Sequence, residues 1–177
     1  METHSLICHP NTPSKAVQGI AVALEARGDG VWLRFRIDAP LAGLALPDPA
    51  ESARKDGLWQ TTCLETFVMD SAQGSYSEFN FSPSGEWAAY RFTSYREGMA
   101  ELELRSAPDI GLDASDGQLA LEATMPLPVG EHRLALSAVI EEADGTKSYW
   151  ALAHPPGKPD FHHPDCFALH LPAPENT

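Results

Sequence analysis

The sequence predicts an all-β domain, an antiparallel sandwich or barrel, on three observations. Short segments of alternating apolar and polar residues recur along the chain, turn signals rich in Gly, Pro and Asp separate them, and no stretch carries the periodicity of an amphipathic helix. The clearest segment is GVWLRFRID at 30–38, where Val31, Leu33, Phe35 and Ile37 share one face and Trp32, Arg34, Arg36 and Asp38 the other. The preceding VQGIAVALEAR runs into Gly28-Asp29-Gly30, which reads as a hairpin turn. Further strands are expected in CLETFVMD, SYSEFNFS, EWAAYRFT, AELELRS, QLALEATM, HRLALSAVIEE, KSYWAL and CFALHL. Turns are expected at Gln73-Gly74, Pro83-Ser84-Gly85, Asp116-Gly117 and Asp144-Gly145. Residues 39–57, APLAGLALPDPAESARKDG, form the longest connection, and connections of that length are usually functional or mobile.

Composition sets the outer limits. A chain of 177 residues, 43% hydrophobic, fits one domain with a real core. Its formal net charge of -13 argues against nucleic acid and anionic membrane, both of which require a basic face. The opening METHSLICHPNTPSK has neither a basic n-region nor an apolar h-region, and no apolar run is long enough to span a bilayer. Cys8, Cys63 and Cys166 are too scattered for a disulfide framework. The expectation is a cytoplasmic protein with reduced thiols.

Enzyme signatures are missing: the chain has no GxSxG elbow, P-loop, GxGxxG or HExxH. The three thiols are expected to pack as small hydrophobes. Glu65 and Glu78, on neighbouring expected strands, form a carboxylate pair of the kind that serves glycosidic chemistry at defined separations. Here they are read as buried, hydrogen-bonded acids. The segment WALAHPPGKPDFHHPDCFALHL, 150–171, is the most unusual stretch. Pro155, Pro156, Pro159 and Pro164 forbid helix or interior strand, yet His154, Phe161, His162, His163, Asp165 and Cys166 crowd the same loop. Zinc suits these ligand types, but adjacent His162 and His163 diverge and no CxxC or HxxxH spacing supports them. The imidazoles are read instead as caps for backbone carbonyls, with no metal bound.

The segment GLWQTTCLETFVMD, with Trp59 six residues before Glu65, resembles the opening strand of the family-9 carbohydrate-binding modules and the wider DOMON-like superfamily. YSEFNFSPSGEWAAYRF is similar to that family's aromatic strand pair. The order LALSAVIEE, Asp144-Gly145, Trp150, a proline-bearing loop and CFALHL agrees with its C-terminal half. The likeness runs in order from about residue 17 to 171, and most narrowly resembles bacterial DOMON-like proteins of unassigned activity.

The resemblance implies an immunoglobulin-like antiparallel β-sandwich of jelly-roll type, with a ligand site at one end or on one sheet. It implies two tryptophans clamping a sugar, Trp59 and Trp150 here, with Glu65, Arg91 and Lys147 near the polar partners. The expected site is Trp59, Glu65, Arg91 and Trp150, roofed by the loop from His154 to Asp165, with His154 and His163 among its side chains. The expected activity is non-catalytic binding of a carbohydrate or other polyol, without a cofactor. One alternative implied by the resemblance is haem, with Met69 or Met99 and His154, His162 or His163 as axial ligands. The other is docking of a protein partner through the same rigid loop.

Overall fold

A computed structural model describes residues 1–70 and 73–173. The period-2 segments form antiparallel strands: β1 (Glu2–Cys8), β2 (Gly19–Arg27), β3 (Gly30–Asp38), β4 (Cys63–Asp70), β5 (Tyr76–Phe81) and β6 (Trp87–Phe92). There follow β7 (Ala100–Glu101), β8 (Asp109–Ser115), β9 (Gln118–Pro126), β10 (His132–Glu141), β11 (Lys147–Ala151) and β12 (Leu169–Leu171). The described residues include no α-helix, and no helix long and apolar enough to cross a membrane.

The strands hydrogen-bond in the order β7-β6-β5-β4-β10-β11-β1-β2-β3-β9-β8, and β12 follows β11 along the edge of β10. β1 is the joint of this path. Residues Glu2–Leu6 pair with β2, whereas Ile7 and Cys8 pair with Ala151 and Trp150 of β11. The sheet curls about this joint, so its two wings share one core. Val22, Leu33, Phe35 and Leu121 come from one wing, and Leu64, Phe81, Leu136 and Ile140 from the other. Each such side chain contributes about 1.5–3 kcal/mol on full burial.

A second apolar layer lies on the opposite face of the β4–β5–β6–β10–β11 wing. Cys63, Phe67, Tyr76, Tyr90 and Phe92 pack there beneath Leu58 and beneath Phe161, Cys166 and Phe167 of the proline-rich segment. This segment covers an apolar face that a one-sided sheet would leave in water. Because β4 and β10 are covered on both faces, their sequences read as nearly continuous apolar runs rather than as alternation.

Several sequence expectations change. β1 and β8 were not anticipated, because only Leu6 of β1 is buried and β8 has no buried residue. AELELRS pairs only through Ala100–Glu101, although Leu102 and Leu104 still pack against the core. CFALHL contributes only Leu169–Leu171, since Pro164–Cys166 forms a 3-10 turn. The 39–57 connection is tied to the sheet by bridges from Leu44 to Glu142 and from Arg54 to Trp87. The Arg54 guanidinium lies 4.5 Å from the Trp87 ring centre and donates to the carbonyls of Ala89 and Leu102. All three cysteines are free thiols, and burial pushes the Cys166 thiol up to about 12.

Candidate functional site

The pleat of the covered wing decides which side chains look outward. Successive residues of a strand face opposite sides, so Glu65 of β4, Glu78 of β5, Tyr90 of β6 and Tyr149 of β11 face the proline-rich segment, away from the main core. They floor a cavity of about 400 Å³. Trp59 and Met99 stand at its sides, and Pro159, Asp160, Phe161 and His162 roof it. A shallower groove lined by Asp56, Gln60 and Glu101 continues outward past Trp59, Tyr90 and Met99.

Trp59 sits in a 3-10 turn, Leu58–Gln60, entered through Gly57 at φ 76, a left-handed conformation that glycine adopts without Cβ strain. Buried Leu58 anchors the turn, and Lys147 Nζ donates to the Gln60 carbonyl at 2.5 Å. The indole is thus held in place while 52% exposed. The roof is latched at the other side of the cavity. Arg96 donates to Asp160 Oδ1 at 2.7 Å, and the Tyr95 hydroxyl donates to Asp160 Oδ2. Arg96 holds φ 56, a conformation costly for a residue with a Cβ, in a turn closed by Glu97 N donating to the Ser94 carbonyl. Asp160 further accepts from the His162 backbone N–H, and its carbonyl accepts from Cys166 Sγ. Burial raises the Asp160 carboxyl, but Tyr95 and Arg96 outweigh burial and hold it below its ordinary range.

Two carboxyls lie almost wholly buried in the floor. Glu65 is 2% exposed and accepts from Ser137 Oγ at 3.2 Å. Glu78 is 5% exposed and accepts from Asn80 Nδ2 at 3.0 Å. In the β4–β5 register Glu65 opposes Asn80 and Phe67 opposes Glu78, which makes the two acids diagonal neighbours on one face. Burial, then the charge of Glu78, pushes Glu65 well above the carboxylate range. Burial pushes Glu78 up to about 7, against the opposing pull of Asn80 and Arg96. Glu65 therefore keeps its proton at neutral pH, while Glu78 is poised between its two states. Above it, burial and the charge of Arg96 push His162 down to about 4, so its imidazole is neutral. Its Nδ1 lies 2.8 Å from the Tyr76 hydroxyl and its Nε2 lies 3.7 Å from Glu78 Oε2.

The structure brings Trp59 and Glu65 together and separates the other expected site residues. Trp150 is 6% exposed in the main core, its indole N–H donating to Ser148 Oγ. Its neighbour Tyr149 takes the cavity face. Arg91 is exposed and lies one residue out of phase with Tyr90; Arg96 supplies the guanidinium from the following turn. His154 Nε2 donates to the Ile7 carbonyl at 2.7 Å, the capping role expected of it. His163 Nδ1 accepts from the Asp165 N–H, which caps the Pro164–Cys166 turn. Neither ring lines the cavity. Among the described residues no group of three His, Cys, Asp or Glu side chains is placed to hold a metal. Of the haem ligands that the resemblance implied, Met69 packs in the second apolar layer, His154 and His163 lie off the cavity, and Met99 and His162 line it, His162 with Nδ1 on Tyr76 and Nε2 turned to Glu78.

Tyr90, Phe92, Arg96 and Tyr149 were not anticipated as site residues, and Asp160 was anticipated only as part of the roofing loop. Strand parity was the available signal for Tyr149 and Tyr90: counting by twos along β11 and β6 from a core residue, Trp150 or Ala89, puts each on the outer face. Arg96 comes from a loop and carried no such signal.

No family model matches the chain, and no curated protein matches its sequence. Solved structures do resemble it. A protein from Bacteroides uniformis to which carbohydrate binding is ascribed superposes with a TM-score of 0.66 at 14% identity, over 94% of this chain and 84% of that one. A family 9 carbohydrate-binding module from Caldicellulosiruptor kristjanssonii, in complex with glucose, superposes with a TM-score of 0.53 at 10% identity, over 82% of this chain and 72% of that one. At these identities the likeness is one of fold: the chain shares its all-β architecture with both.

Proposed function

We propose that the chain binds a carbohydrate without catalysis, seating it in the cavity between Trp59 and the proline-rich roof. The observation that carries this reading is the composition of the cavity: aromatic walls around a floor with two buried carboxyls. The C–H faces of a pyranose stack on indole and phenol rings, while hydroxyls exchange hydrogen bonds with carboxyl groups. Trp59 offers an exposed ring on a rigid turn, and Tyr149 and Phe161 offer rings within the cavity. Glu65 and Glu78 accept from sugar hydroxyls and, where protonated, donate to them. The groove past Trp59 provides room for a second ring. The finer assignment, an immunoglobulin-like sandwich of DOMON-like type, belongs to the same proposal; its support is the ordered sequence resemblance together with the two fold likenesses.

The test is a fluorescence screen of monosaccharides, short glucans and cell-wall amino sugars on the wild type and on Trp59→Ala. By analogy with base stacking, loss of one aromatic face weakens binding by about 5- to 150-fold. An exposed ring leaves the melting temperature nearly unchanged when removed. A Trp59→Ala protein that binds as tightly as the wild type rejects Trp59 as a clamp. Absence of any sugar response in the wild type rejects the carbohydrate reading.

A further inference from the structure

We propose that the cavity selects a sugar bearing a free amino group, with the ammonium seated at Glu65 and Glu78 while the ring stacks on Trp59. This rests on the carbohydrate reading and names its substrate class.

The first ground is charge. The ionisable groups that face the pair are Tyr76 beside Glu78 on β5, Tyr90 on β6, Tyr149 on β11, Cys63 on β4, Arg96 from the 93–98 turn, and Asp160 and His162 from the roof. Arg96 is the one cation among the cavity-lining residues described, and it is already paired with Asp160 at 2.7 Å. His162 is neutral, with Nδ1 engaged by Tyr76. A carboxyl of the pair that ionises therefore finds no free counter-charge among the lining residues described, and an ammonium supplies one.

The second ground is hydrogen bonding. Asn80 is 0% exposed and lies on the same face of β5 as Glu78, to which its amide donates. Its Oδ1 has no partner among the described residues. An orphaned buried acceptor costs free energy comparable to a lost hydrogen bond. Asn80 lies behind the cavity lining and bears on a ligand through Glu78; the pair, once ionised, is acceptor-only, and an ammonium brings three donors and no acceptor. The third ground is the walls. The faces of Trp59, Tyr90 and Tyr149 carry negative quadrupole potential, which attracts a cation as well as stacking on a sugar. A neutral hexose stacks and donates its hydroxyls to the carboxyls; an amino sugar adds the counter-charge.

Seating an ammonium favours the ionised pair, so binding is expected to release protons, a signature that stacking alone does not leave. Calorimetric titration of the wild type at pH 7 and low salt compares glucosamine, N-acetylglucosamine and glucose, in two buffers of different ionisation enthalpy. Glucosamine is expected to bind roughly tenfold or more tightly than either neutral sugar, with proton release that the neutral sugars lack. Glu78→Gln is expected to bring the glucosamine-to-glucose ratio toward one; if that variant misfolds, the wild-type ratio and proton count decide. Glucose binding as tightly as glucosamine, or N-acetylglucosamine matching it, overturns the inference and leaves the carbohydrate reading standing. Binding of none of the three overturns both.

Discussion

Replacing Glu78 by Gln is expected to stabilise the protein at alkaline pH and to leave it unchanged at acidic pH. Glu78 ionises near its ordinary 4.5 in the unfolded chain but at about 7 in the fold, mainly because burial penalises its charge. The folded state therefore binds the proton more tightly. Its contribution to stability is fully present below pH 4.5 and is lost as pH rises through about 7. A difference of that size corresponds to about 3 kcal/mol at high pH, and Glu65, raised for the same reason, adds loss in the same direction. Glutamine keeps the shape and the acceptor for Asn80 Nδ2 but never ionises. At pH 8 the variant should exceed the wild type by about 3 kcal/mol, or roughly 6–12 °C in melting temperature for a chain of this size. At pH 4.5 the two should coincide.

The wild-type curve alone tests this poorly. His162 is displaced in the opposite sense, from 6.5 to about 4, so its contribution is present above pH 6.5 and is lost as pH falls through about 4. Between about 4.5 and 6.5 the two slopes oppose and flatten the profile. The general repulsion of a chain at net charge -13 tilts it further. Subtracting variant from wild type, by urea titration at pH 4.5, 6 and 8, removes both effects to first order. A difference that is constant across pH, or a wild type more stable at pH 8, refutes the buried, protonated carboxyl.

Two further outcomes are expected. Trp150→Ala should lose about 3–5 kcal/mol of stability by denaturant titration, because it empties the main core, while its folded fraction binds ligand with near wild-type affinity. A loss of affinity without destabilisation would return Trp150 to the site. Cys63 and Cys166, buried and with raised ionisation, should resist a thiol reagent until urea unfolds the protein; rapid labelling of all three thiols in the native state would contradict their packing.

What the sequence revealed depended on how many faces of each strand meet something apolar. β3 and β9 border the core on one side, and their alternation marked them with nearly correct ends. β8, exposed along its length, has no alternation to read. AELELRS alternates, but its pairing with β6 ends at Leu102, whose N–H donates to the Ala89 carbonyl while Arg54, not a strand, takes its carbonyl. In the site the same physics misdirected one choice. Tyr149 and Trp150 lie on a strand with both faces covered, so both are apolar positions and hydropathy could not say which one looks into the cavity. Trp59 and Glu65 were legible because a short, fixed spacing joins them. Asp160 and His162 fall in the loop expected as the roof, but Arg96 and its pairing with Asp160 were not legible, since loop closure across distant segments brings them together.

The division of β1 between two partners bears on how the molecule is made. Its N-terminal part forms a local ladder with β2, a few residues downstream, but its last two residues wait for Ala151 and Trp150, which are made much later. During synthesis the β1–β2–β3 meander emerges before the other wing, with Val22, Leu33 and Phe35 lacking Leu64, Phe81 and Leu136, their partners across the core. The curl closes only after β11 has left the ribosome. Contacts of such long sequence separation fold slowly, on the order of milliseconds to seconds. Throughout that interval the nascent chain presents an apolar sheet face and an unpaired strand edge to its surroundings, the features that recruit chaperones and seed aggregation.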